Sequence, residues 1–112
     1  MYDDDPQHPI PKVDSLDLHA LRKAGGSDLV LVIAAPLEGD ERSQQRLLTK
    51  IENYLRFMRS SDYEKECGRP TSDNSSVIVR IHPKSDPLVF DLLERCKPWV
   101  SESDTQLVVS GL

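Results

Sequence analysis

Leu29-Val30-Leu31-Val32-Ile33-Ala34-Ala35 is the stretch on which the reading of this chain turns. It is apolar at every position and bounded by turn residues, the pattern of a central strand buried on both faces. Pro36 and Gly39 end it. Asp40 then serves as a helix cap, with Glu41 favourably placed against the helix dipole. Beyond it, Leu47, Leu48, Ile51, Tyr54, Leu55 and Met58 recur at the helical period. They predict a first helix over residues 41–60 with a single apolar stripe.

Upstream of the strand, residues 1–12 hold Pro6, Pro9 and Pro11 and the run Asp3-Asp4-Asp5. Proline cannot donate to a ladder, so this is a flexible Pro/Asp-rich tail, mobile or draped over the body. Residues 13–112 are read as a single domain. Within 13–22, Leu16, Leu18 and Ala20 alternate with Ser15, Asp17 and His19, a half-buried strand pattern. Val13, Leu16, Ala20 and Ala24 would equally suit a short helix ended by Gly25-Gly26. The strand is favoured, because Gly25-Gly26-Ser27-Asp28 then turns a hairpin into the central strand.

Downstream, residues 61–75 are rich in Ser, Asp, Gly, Pro and Asn and read as a long loop, disordered or functional. Residues 77–82 are the next strand, with Val77, Val79 and Ile81 on one face. Ser85 or Asp86 caps a second helix with Pro87 in its first turn. Leu88, Val89, Leu92, Leu93 and Cys96 form its buried stripe, and Pro98 ends or kinks it. Residues 106–110 make the last strand. The expected fold is α/β (α+β), in the order ββαβαβ: a four-stranded mixed sheet with two helices on one face.

Composition narrows the function classes. The chain has 112 residues, 38% hydrophobic and 29% charged, with a net charge of −5, as an ordinary globular domain does. An acidic balance disfavours a nucleic-acid or membrane partner. Met1-Tyr2-Asp3-Asp4-Asp5 is acidic where a signal peptide is positive, so a cytoplasmic location is expected. Cys67 and Cys96 have no Cys or His at metal-ligand spacing and read as one loop thiol and one packed helix thiol. No phosphate loop, nucleophile elbow or Cys-x-x-Cys occurs, so no cofactor is expected and an enzyme is the lesser reading.

Val13-Asp14 opening a hairpin into residues 29–33, the helix segment Lys50-Ile51-Glu52-Asn53-Tyr54-Leu55-Arg56-Phe57, Tyr63-Glu64 and Gly68-Arg69 resemble a family of small bacterial proteins known only as a domain of unknown function. The resemblance spans roughly residues 13–110, and its helix segment is more specific than its strands. The chain departs from the family at Glu38-Gly39-Asp40 and at Pro98. What the resemblance implies is a fold and no activity. Analogy with small bacterial immunity proteins that accompany toxins is associational only.

Three surfaces are candidates for function. At the carboxyl ends of the second and third strands, Glu38, Asp40, Glu41, His82 and Asp86 follow neighbouring strands, the usual place for a ligand in an open sheet. There Glu38, His82 and Asp86 would hold a divalent metal or do acid–base work. Helix capping alone explains Asp40 and Asp86.

The second surface is the outer face of the first helix, with Arg42, Arg46, Lys50, Asn53, Arg56 and Phe57. Residues 42–59 carry a charge of +4 against −9 on the remainder, which suits an acidic protein partner or another anionic one. Phe57 lies within that face as a binding anchor, unless it packs on the second helix. The third is the sheet face away from the helices. If Leu31, Ile33, Ile78 and Val108 point there, two helices leave them bare and the chain is a homodimer. A non-catalytic, protein-interaction domain is the leading expectation.

Overall fold

The central strand forms where the apolar run predicts it and gains a neighbour on each side. The structure is a computed structural model that describes residues 5–13, 15–23, 25–71 and 73–112. Met1, Tyr2, Asp3, Asp4, Asp14 and Ala24, used in the readings above, lie outside the described residues. The elements are β1 (Leu18–Leu21), β2 (Ser27–Ile33), α1 (Glu41–Met58), α2 (Ser61–Cys67), β3 (Ser75–Ile81), α3 (Pro87–Ser101) and β4 (Gln106–Gly111). The sheet order is β1-β2-β3-β4, with β1 antiparallel to β2 and the other two pairs parallel. The protein is therefore α+β with a four-stranded mixed sheet.

The order is ββααβαβ, not ββαβαβ, because part of the expected loop is helical. Ser60 caps α2 by accepting from the Tyr63 N–H, and Tyr63 and Cys67, one turn apart, are its buried residues. The stripe of α1 forms as predicted: Leu47, Ile51, Tyr54, Leu55 and Met58 are buried and Leu48 packs against them. Asp40 caps α1 from its side chain, and Asp86 caps α3, with Pro87 at its first position.

Of the two outcomes expected at Pro98, an end or a kink, the end does not occur, and one residue leaves the expected stripe. The helix continues through Pro98 to Ser101, held by burial of Val100 and by partial burial of Trp99. Leu88 is exposed and leaves the buried stripe to Val89, Leu93, Cys96 and Val100.

Strand facing also differs from expectation. In β2 and β3, Leu29, Leu31, Ile33, Val77, Val79 and Ile81 are fully buried and share one core with α1 and α3. Leu31 and Ile33 therefore lie in the core and not on the opposite face, whose residues in those strands are Val30, Val32, Ile78 and Arg80. In β1, Leu18 points away from the core and is 55% exposed, while His19 on the core side is half-buried; Leu21 shares the face of His19 but ends the strand and is 64% exposed.

The hairpin dictates this facing. Arg22 N–H donates to Gly26 O and Gly25 N–H to Arg22 O, both at 3.1 Å, which sets Leu18 opposite Val30 and His19 opposite Leu29. A strand's two faces alternate strictly, so that register puts His19 on the core side.

Candidate functional site

The segments that follow β2 and β3 are tied to one another by hydrogen bonds. Leu37 N–H donates to Ser85 Oγ at 3.0 Å, and Asp86 N–H donates to Leu37 O at 2.8 Å. The Asp86 carboxylate accepts from Leu88 N–H at 2.9 Å as a cap. It also lies over Gly39, where an added Cβ would come within 2.9 Å of its Cγ. His82 Nδ1 accepts from Lys84 N–H at 3.1 Å, while Glu38 is exposed. Hydrogen bonds onto Asp40 from Ser43 hold its carboxyl below the usual range. Glu38, Asp40 and Asp86 line a cleft of about 470 Å³ with Lys84, yet no group of three His, Cys, Asp or Glu able to hold a metal occurs among the described residues.

The basic face of α1 is not a free surface. Residues 5–13, of the two states expected for the tail, adopt the draped one along it. Arg46, only 5% exposed, donates to the carbonyls of Ile10 at 2.9 Å and Pro11 at 3.1 Å. Asn53 Nδ2 donates to Val13 O at 2.9 Å, and Arg42 pairs with Asp5 at 2.9 Å. A proline-rich segment makes no ladder of its own, so its carbonyls need donors from elsewhere, and the long polar side chains of α1 supply them. Lys50, 2% exposed, pairs with Asp17 at 2.8 Å, and Arg56 with Glu52 at 2.7 Å. Phe57 is half-buried against the core and packs edge-on to His19 and Tyr63, at 5.5 and 5.4 Å between ring centres, so it does not project as an outward anchor.

The sequence identifies no partner for His8, and the structure supplies two. Its Nε2 lies 2.9 Å from Ser43 Oγ, and its Nδ1 accepts from Ile10 N–H at 2.9 Å. Burial and then the Arg46 charge lower its pKa, outweighing Asp5 and Asp40. Three prolines around a histidine were a signal of a stiff segment, not of where it docks.

The open face of the sheet carries one apolar row that crosses all four strands. The register aligns Leu18, Val30, Ile78 and Val108. On one flank stand Ala20, Asp28, Ser76 and Gln106, on the other Val32, Arg80 and Ser110. Arg22 pairs with Asp28 at 2.6 Å and Ser76 Oγ donates to the same carboxylate. Burial opposes ionisation of Asp28, but these hydrogen bonds and the Arg22 charge prevail and its pKa falls below the usual value. Arg80 is exposed and its side chain has no hydrogen bond or ion pair among the described residues.

Comparison with protein-family models, with curated proteins and with solved structures finds no match. No helix among the described residues is long and apolar enough to cross a membrane.

Proposed function

We propose that this chain is a non-catalytic, protein-interaction domain that pairs with a second copy of itself through the open face of its sheet. The observation that carries the reading is the apolar row Leu18–Val30–Ile78–Val108. Both parallel steps move in the same direction across the sheet, so right-handed crossovers bring their helices to one side and leave this row uncovered. An apolar sheet face without a covering layer is a place for a partner.

Charge favours a second copy as that partner. A twofold axis along the row lays the Arg80 flank of one protomer over the Asp28–Ser76 flank of the other. An arginine unpaired among the described residues then meets a carboxylate, twice per dimer, in the self-complementary manner of a closed interface. Membership of the bacterial family and a cytoplasmic setting belong to this proposal.

Sedimentation velocity over a concentration series tests it. The wild type is expected to sediment as a dimer, and Ile78→Lys or Arg80→Glu to shift it towards monomer with an unchanged circular dichroism spectrum. A wild type that remains monomeric at the highest attainable concentration overturns the reading.

A further inference from the structure

We propose that residues 5–13 are an acid-released latch on α1, locked by the neutral form of His8. The inference concerns the helix and does not rest on the open sheet face. Ile10 is the anchor: it is 1% exposed, although its neighbours Pro9 and Pro11 are not buried. The contacts around it are hydrogen bonds to α1, from Arg46 to Ile10 O and Pro11 O and between His8 and Ser43.

The chemistry of the lock follows from the ring's two partners. A backbone N–H only donates, so the bond from Ile10 N–H requires a lone pair on His8 Nδ1. The ring proton then sits on Nε2 and donates to Ser43 Oγ. A second proton on Nδ1 would point at the Ile10 N–H and abolish that bond. The closed latch therefore holds only a neutral ring.

The surrounding charges act in both directions. Asp5 of the latch and Asp40 at the cap of α1 favour a protonated ring, while Arg42 and Arg46 of α1 oppose it together with burial. Glu38, from the segment after β2, lines the same cleft of about 260 Å³. The net effect lowers the pKa of His8 below its usual 6.5. A group with a lowered folded value stabilises the closed state above its unfolded value, and that contribution is lost as pH falls through the folded one. The latch is thus closed near neutrality and opens below 6.5.

Opening has a consequence for surface charge. It withdraws the Asp5, Ile10 and Pro11 acceptors from Arg42 and Arg46 and so uncovers part of that side of α1.

Amide hydrogen exchange, corrected for the intrinsic effect of pH, tests the proposal. Ile10 protection is expected to fall by up to about tenfold per pH unit between the open-state value of 6.5 and the lower closed-state value, the slope of one linked proton, and to level off below it. The core amides of Leu31 and Val79 should stay protected. His8→Asn keeps an acceptor in reach of the N–H two residues on, as in an Asx turn, but does not titrate. Its Ile10 protection should be flat with pH. A flat profile in the wild type, or the same fall in His8→Asn, overturns the latch. Nitrogen-15 shifts of the His8 ring give a second reading that needs no variant. An Nδ1–H tautomer at neutral pH, or a midpoint at or above 6.5, overturns it equally.

Discussion

Lys50 Nζ lies 2.8 Å from Asp17 Oδ1, and this pair joins α1 to the start of β1. The other oxygen of Asp17 accepts from Val32 N–H at 2.9 Å, and its own N–H donates to Tyr54 Oη at 3.0 Å. Tyr54 donates onward to Val30 O at 3.3 Å, and burial pushes the pKa of its phenol up. Asp17 thus takes with its side chain a β2 donor that a longer β1 would have met with its backbone.

The two partners are unequally buried, and removing them should have unequal effects. Lys50 is 2% exposed at its side chain, Asp17 27%. Asp17→Ala leaves a buried ammonium without its counter-ion and should destabilise by about 3 kcal/mol. Lys50→Met replaces the charge with an apolar chain of similar length and leaves a half-exposed carboxylate still bonded to Val32 N–H. It should lie within about 1 kcal/mol of the wild type. Urea denaturation measures both, and equal losses would contradict this account.

Gly25 and Gly26 adjoin in the β1–β2 turn but should respond differently to substitution. Both have left-handed φ, 97° and 84°. A Cβ on Gly25 meets nothing within 4 Å, whereas one on Gly26 would lie 2.1 Å from Asn74 O. Gly25→Asn should therefore cost less than about 1 kcal/mol, since asparagine tolerates this conformation. Gly26→Ala should cost at least about 2 kcal/mol, because backbone must move as well. Thermal denaturation of the two variants gives the comparison.

How much of this was legible depended on which physical quantity each stretch encodes. Period and length made β2 and the stripe of α1 readable, and the caps Asp40 and Asp86 followed from side-chain chemistry. In β1, alternation divided the residues between two faces but did not say which face was inward. The hairpin register decides that, and it turned His19 in and Leu18 out. α2 escaped because only Tyr63 and Cys67 of its seven residues are buried, too few to make a periodic signal. For the basic face, the sequence pattern showed where Arg46 and Lys50 stand on α1. It carried no sign that residues 5–13 and Asp17 cover them.

Tyr63 and Ser27 form a hydrogen bond between two side chains that are both fully buried. Tyr63→Phe strands the Ser27 hydroxyl in the core and should cost about 1–2 kcal/mol. Ser27→Ala in the same background removes the stranded group. The double variant should then be no less stable than Tyr63→Phe alone, a coupling that a double-mutant cycle detects. Additive losses would mean that the pair contributes nothing as a pair.

Pro98 sits inside α3, where it has no N–H for the carbonyl of Glu94. The helix nonetheless closes its last turn, with Glu102 N–H donating to Pro98 O at 3.1 Å. Burial of Val100 in the core cluster holds that turn in place, so tertiary contact overrides a local preference for stopping. Pro98→Ala restores the missing donor and relieves the clash of the ring with the preceding turn. An interior proline costs about 3 kcal/mol against alanine. Part of this is offset because alanine raises the entropy of the unfolded chain by up to about 1 kcal/mol. With Pro98 so near the helix end, a net gain of about 1 kcal/mol is expected. A rise in the urea midpoint with an unchanged slope would record it. A fall would mean that the proline shapes the approach of Trp99 and Val100 to the core.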